Sequence, residues 1–125
     1  MSNRPLILIV EDNPTNQLLT TSVLNRDGFE TEVADCAEDA LVSIKARRPD
    51  LILMDVQLPK ISGIEATRAL RAEPSTAKTP IIAITSFALS GDEQRATEAG
   101  ASAYLAKPYS PFALLDMIRK LAPEG

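Results

Sequence analysis

Polar side chains able to do chemistry follow four apolar or strand-like segments of this sequence. They are three carboxylates, two hydroxyls and one ammonium group: Glu11, Asp12, Asp55, Thr85, Ser86 and Lys107. Carboxylates brought close together repel each other and need a cation. Mg²⁺ takes oxygen ligands, and an ammonium group neutralises further charge. Together with a hydroxyl donor they form a site for a phosphoryl group, in which Asp55, at the centre, is the candidate nucleophile.

A simpler interpretation is that each of these residues only caps the helix that follows it. For Glu11 and Asp12 alone this alternative is serious, because both directly precede a predicted helix. It explains much less well why groups suited to binding a metal ion and a phosphoryl group stand at the ends of four strands.

The segments that must position these groups alternate between strands and helices. Apolar runs without polar alternation predict buried parallel strands at residues 6–10, 51–54 and 81–84, with flanking strands at 30–34 and 103–106. Helices are predicted at residues 14–26, from residue 37 to before Pro49, and at 64–71, 91–99 and 111–121. Asn13 and Ser110 are expected to cap the first and last helices, each followed by a proline.

Five strand–helix units with short connections predict one α/β domain with a doubly wound open sheet. In such sheets ligands bind beyond the carboxyl ends of the strands. The polar groups that follow the strands are therefore expected to meet at one edge of the sheet.

Composition excludes several other classes of function. The 125 residues contain no histidine, which removes Ser–His–Asp and Cys–His nucleophile pairs and His-ligated zinc. A net charge of −4 argues against nucleic acid as a partner. No signal peptide and no apolar run of about 20 residues is present, and Cys36 is the single cysteine. We therefore expect a cytoplasmic protein without a membrane partner.

The polar residues at the strand ends stand within longer motifs. These are Glu11-Asp12-Asn13, Met54-Asp55-Val56-Gln57-Leu58-Pro59 with Gly63, Ile84-Thr85, and Ala106-Lys107-Pro108. This set resembles the signature of response-regulator receiver domains, over residues 6–121. Within that family the chain is most similar to single-domain regulators of the DivK and CheY type. The resemblance implies a flavodoxin-like, CheY-like (βα)5 fold with a parallel five-stranded sheet of order 2-1-3-4-5, and one receiver domain over residues 1–125 without an output domain.

The resemblance also implies a role for each site residue. Asp55 matches the phosphoacceptor. Asp12, Asp55 and the backbone carbonyl of Gln57 match the direct ligands of Mg²⁺, and Glu11 would act through water.

Further roles concern the phosphoryl group itself. Thr85, Ser86 and Lys107 would contact it, although Ser86 stands where the family usually has alanine. Thr85 and Tyr104 match the switch pair, a hydroxyl that moves to the phosphoryl group and an aromatic ring that then rotates inward. Pro108 matches a structural position whose preceding peptide bond is cis in the family.

The function implied is that of a phosphorylation switch. A histidine kinase or histidine phosphotransfer protein would supply the phosphoryl group, because this chain has no histidine. The signal would then pass to a downstream target protein by contact, and the chain would be no enzyme beyond the chemistry on its own Asp55.

Two alternatives come from other classes of protein. A phosphohydrolase resembling the haloacid dehalogenase group would need a second aspartate two residues after the nucleophile, where this chain has Gln57. A flavodoxin-like cofactor binder would need a phosphate loop rich in Ser, Thr and Gly after the first strand, where Glu11 and Asp12 would instead repel phosphate.

Overall fold

A computed structural model describes residues 5–56, 62–85, 92–106 and 109–121, with the side chains of residues 92 and 93 excepted. Strands and helices alternate along the chain: β1 (Leu6–Val10), α1 (Pro14–Arg26), β2 (Glu30–Ala34), α2 (Ala37–Ala46), β3 (Leu51–Asp55), α3 (Gly63–Ala72), β4 (Ile81–Thr85), α4 (Asp92–Ala99), β5 (Ala103–Ala106) and α5 (Pro111–Leu121). Every predicted strand and helix is confirmed, with boundaries that differ by at most two residues.

The strands form one parallel sheet of order β2-β1-β3-β4-β5. This order confirms the expected doubly wound fold and makes β3, which carries Asp55, the central strand. Its neighbours β1 and β4 are buried along their full length. The edge strands β2 and β5, which were predicted as flanking strands, are more exposed.

Alternating side chains of the central strands pack into two layers, one on each face of the sheet. One layer joins Leu8 and Ile52 to buried residues of α2 and α3. The other joins Ile7 and Leu53 to buried residues of α1 and α5, including Leu24 and Ile118. Burial on both faces explains why these strands are continuous apolar runs without polar alternation.

Short polar side chains fix where the helices begin. The Asn13 side chain accepts a hydrogen bond from the Asn16 N–H at 3.1 Å, and the Ser110 hydroxyl accepts one from Ala113 at 3.1 Å, which confirms both predicted caps. Helix α3 begins at Gly63, one residue earlier than predicted, because the Ser62 hydroxyl accepts from the Glu65 N–H. The capping pattern Ser-x-x-Glu was visible in the sequence.

Helix α4 is polar in composition, which predicts that it buries little. Ala96 and Ala99 are nevertheless buried, and α4 lies against α3 and against β4 and β5. The apolar side of α4 is thus made of small side chains, which allow close approach to the neighbouring elements.

Arg71, in the last turn of α3, connects this helix with the loop that follows it and with the turn before β5. These contacts lie at the amino ends of the strands, opposite the polar residues. The Nε of Arg71 donates to the Gly100 carbonyl at 2.8 Å, and Nη1 donates to the carbonyls of Thr76 and Thr79 at 2.9 and 2.6 Å. Burial lowers the pKa of the guanidinium, since desolvation disfavours its charged form. Gly100 has φ +113, and a Cβ there would lie 2.6 Å from Arg71 Cγ. Glycine at position 100 therefore provides both the backbone angle and the space for this side chain.

None of the helices in the described ranges is long and apolar enough to cross a bilayer.

Gly63 offers a direct test of how closely α3 packs on the end of β3. A Cβ at Gly63 would overlap the Asp55 carbonyl and lie 2.8 Å from Val56 Cα. We expect Gly63→Ala to lower the free energy of unfolding by about 1–3 kcal/mol, because overpacking against backbone outweighs the higher helix propensity of alanine. Urea denaturation midpoints measure this loss.

Gly28→Ala is the matched control, since a Cβ there meets nothing within 4 Å and only the positive φ of 94° opposes it. It should cost about 1 kcal/mol. Equal midpoints for wild type and Gly63→Ala would show that the contact is looser than described.

Candidate functional site

The carboxyl ends of β1 and β3 bring three acidic side chains together. The two strands are parallel neighbours in which Val10 pairs with Met54, so the residues that follow lie at the same edge of the sheet. Ligand oxygens of Glu11, Asp12 and Asp55 all lie within 4.8 Å of one another. The predicted convergence of these three acids is confirmed.

Burial makes this cluster electrostatically costly. Glu11 is 7% exposed and Asp55 is 6% exposed, whereas Asp12 lies at the surface. Two unit charges no more than 4.8 Å apart repel by at least roughly 3 kcal/mol at an effective dielectric constant of about 20. A small cation with oxygen ligands relieves such repulsion. The donor set is therefore one that could hold Mg²⁺.

Backbone contacts hold Glu11 in place at the edge of the sheet. Its N–H donates to the Ala34 carbonyl at 3.0 Å, and its Oε2 accepts from the Asn13 N–H at 3.1 Å. The capping interpretation is thus correct in part, because Glu11 accepts a backbone N–H at the start of α1. Asn13 is the N-cap itself, and Glu11 still belongs to the acidic cluster.

The backbone around Asp55 is fixed by β4 and α3. The Val56 N–H donates to the Ile84 carbonyl at 2.8 Å, and the Gly63 N–H donates to the Val56 carbonyl at 2.9 Å. Because Gly63 has no side chain, the first turn of α3 lies directly against the Asp55 carbonyl. The backbone that carries Asp55 is therefore held by hydrogen bonds and by close contact with α3.

Thr85 ends β4 beside this cluster and is fully buried. Ile84 pairs with Asp55, and Ala83 pairs with Tyr104 on β5. Side chains alternate along a strand, so Thr85 points to the same face as Ala83 and Tyr104. Tyr104 is half-buried and packs against the cluster of Val56, Ala83 and Ala96. The structure therefore places the two predicted switch residues on one face of neighbouring strands.

Four predicted site residues lie outside the described part of the chain: Gln57, Ser86, Lys107 and Pro108. Phe87, which we expect from the sequence to be part of a surface that binds the downstream target protein, also lies outside it.

Sequence reasoning missed one residue that touches the site. Gln17 Nε2 donates to the Glu11 carbonyl at 2.5 Å and to Asp35 Oδ1 at 2.7 Å. No sequence pattern indicates these contacts, because Gln17 is one polar residue on a helix with many, and its partners lie in other segments.

Comparison with known proteins identifies the family of this chain. The model of the response regulator receiver domain family matches residues 7–119. The polar-differentiation response regulator DivK of Brucella anthropi is 40% identical over 113 residues, which cover 90% of this chain and 92% of that protein.

Solved structures show the same relationship. The receiver domain of the sensor histidine kinase PA1611 from Pseudomonas aeruginosa, with a magnesium ion coordinated in its active-site cleft, is 37% identical at a TM-score of 0.88 and covers 94% of this chain and 97% of that one. The chemotaxis protein CheY4 of Vibrio cholerae is 28% identical at a TM-score of 0.89, covering 94% of this chain and 98% of that one. This chain belongs to the response regulator receiver domain family of two-component signalling.

Proposed function

We propose that this chain is a phosphorylation switch in which Asp55 accepts a phosphoryl group from a phosphohistidine. The observation that carries the proposal is the position of Asp55, a buried carboxylate at the end of the central strand within 4.8 Å of two other acids. The donor is a histidine kinase or a histidine phosphotransfer protein, because this chain has no histidine to phosphorylate.

The transfer forms an acyl phosphate. A carboxylate oxygen of Asp55 bonds to phosphorus while the P–N bond of the phosphohistidine breaks, and the imidazole leaves with the electron pair of that bond and takes up a proton. Water later hydrolyses the acyl phosphate and restores the carboxylate. The chemistry of the chain is confined to this one side chain, so it is no enzyme toward external substrates.

Glu11, Asp12 and Asp55 would hold Mg²⁺ at this site, with the Gln57 carbonyl as a further ligand. When bound, the ion supplies positive charge that offsets the charge of the transferring phosphoryl oxygens. Glu11 would act through water, as the family resemblance implies, while its Oε2 accepts the Asn13 N–H. The chemistry of the donor set supports this assignment.

Lys107, Ser86 and Thr85 contact the phosphoryl group in this proposal. The placement of Thr85 at the end of β4, one residue beyond the partner of Asp55, supports its role. Lys107 directly follows β5 in the sequence, and Pro108 matches a structural position of the family. The Ser86 hydroxyl adds a hydrogen-bond donor that the usual alanine lacks.

The signal then passes from Thr85 to Tyr104. Both lie on the face of the sheet that α4 covers with the small Ala96, so a shift of the Thr85 hydroxyl changes the space available to the ring. The downstream partner is a protein that binds the surface made by α4, β5 and α5. On α5, Phe112 is 79% exposed, and exposed aromatic residues are common anchors of protein partners.

The phosphohistidine donor must reach Asp55, and the exposed member of its acidic cluster is Asp12, two residues before α1. Leu18 and Leu19 of α1 are 66% and 60% exposed and provide apolar contact area for this donor. We place these events in the cytoplasm, where the free thiol of Cys36 stays reduced.

Phosphorylation should depend on Asp55 alone among the acids of the chain. We expect acetyl phosphate and Mg²⁺ to add one phosphoryl group to wild type and none to Asp55→Asn, as read by intact mass. Asp39→Asn is the control, since Asp39 is an exposed acid on α2. Equal gain in wild type and Asp55→Asn would place the acceptor elsewhere.

Mg²⁺ should stabilise the folded chain through the acidic cluster. A tenfold excess of Mg²⁺ over its dissociation constant adds about 1.4 kcal/mol to the free energy of unfolding. We expect Asp12→Ala to lose this gain and, without Mg²⁺, to melt no lower than wild type, because repulsion within the cluster falls. Thermal midpoints with and without Mg²⁺ measure both effects, and a wild-type Mg²⁺ response in Asp12→Ala would contradict the site.

Thr85 should contact the phosphoryl group on Asp55 and transmit its presence without being phosphorylated itself. We expect Thr85→Val, which keeps the shape of the buried side chain, to be modified by acetyl phosphate but to lose most of the amide NMR response of residues 92–106 to beryllofluoride. Thr20→Val removes another buried hydroxyl, on α1, and should keep that response. An unchanged response in Thr85→Val would remove Thr85 from the switch.

A further inference from the structure

Gln17 is the one described side chain whose amide bridges the backbone of the acidic cluster to a neighbouring loop. It lies on the second turn of α1 and is half-buried. Its Nε2 donates to the backbone carbonyl of Glu11 at 2.5 Å and to Oδ1 of Asp35, just after β2, at 2.7 Å. Both hydrogens of the amide nitrogen are therefore used, one on each partner.

The first of these contacts orients the peptide group between Glu11 and Asp12. The Glu11 carbonyl belongs to the peptide group between Glu11 and Asp12, so its orientation determines where the Asp12 side chain starts. Other contacts fix the Glu11 N–H and the Glu11 carboxylate, through Ala34 and Asn13. Among the contacts described for this segment, Gln17 is the one that holds the peptide plane from which Asp12 reaches into the cluster.

The second contact sets the orientation of the amide itself. The Asp35 carboxylate is a strong acceptor and holds the Gln17 nitrogen between the two segments. Asp35 is exposed, so it supports Gln17 from the solvent side without entering the acidic cluster.

We propose that Gln17 is a positioning residue for the divalent cation: it holds the Glu11–Asp12 peptide in the orientation that lets Asp12 and Asp55 bind one ion. This rests on the proposed magnesium site and extends it to a residue that touches no ion. Loss of groups that orient metal ligands typically weakens metal binding by 10–100-fold. When Gln17 is replaced, Glu11 keeps its hydrogen bonds with Ala34 and Asn13, so the lower end of that range applies.

The test is a Mg²⁺ titration of the full chain followed by amide NMR. Gln17→Leu keeps the size of the side chain and removes both donors, and we expect its dissociation constant to rise about tenfold. Asp35→Ala still allows Gln17 to contact the Glu11 carbonyl, so it should raise the Mg²⁺ dissociation constant less than Gln17→Leu does. Thr21→Val is the control on the same helix, since its hydroxyl bonds only to the Leu18 carbonyl among the described contacts, and it should bind Mg²⁺ as wild type does.

A second measurement separates positioning from a general loss of structure. Phosphorylation of Gln17→Leu by acetyl phosphate should need about tenfold more Mg²⁺ for half-maximal rate and reach a rate within about twofold of wild type at saturation. Gln17→Met provides an independent variant of similar shape that also lacks the donors and adds no charge, and it should show the same shift. Equal Mg²⁺ dissociation constants for wild type and both variants would overturn the role of Gln17, whereas failure of wild type to bind Mg²⁺ would overturn the proposed site itself.

Discussion

The crowding of three carboxylates at one edge of the sheet is the constraint on which the rest of the site depends. Glu11 and Asp55 are almost completely buried, and buried like charges oppose folding unless a cation or hydrogen-bond donors compensate them. The cluster exists because β1 and β3 are parallel neighbours in register. Apolar packing on both faces of the sheet holds that register, so the core stabilises an arrangement that the acids alone would avoid.

Backbone contacts at both ends of the molecule then limit how the cluster can move. Helix α3 begins against the Asp55 carbonyl through Gly63, and Arg71 in its last turn binds the turn between α4 and β5. Helix α1 follows its N-cap Asn13 and contacts the Glu11 carbonyl through Gln17. These contacts anchor both ends of α3 and the start of α1 against the sheet.

Much of this could be predicted from sequence because the signals are local. Continuous apolar runs indicate buried parallel strands, Asn13 and Ser110 indicate helix starts, and the rule that ligands bind at strand ends brings Glu11, Asp12 and Asp55 together. Arg71 and Gln17 could not be predicted, because their partners are backbone carbonyls and loop residues that become neighbours only in the folded chain. The buried side of α4 was missed because Ala96 and Ala99 give a weak apolar pattern among charged residues.

The central claim is that Asp55, and no other acid of the cluster, carries the phosphoryl group. Reduction of the phosphorylated chain with deuterated borohydride converts an aspartyl phosphate to deuterated homoserine, which peptide mass spectrometry locates to a single residue. The account predicts the label at position 55, only in samples that received both the phosphoryl donor and Mg²⁺. Label at Glu11 or Asp12, or label at position 55 without the donor, would contradict it.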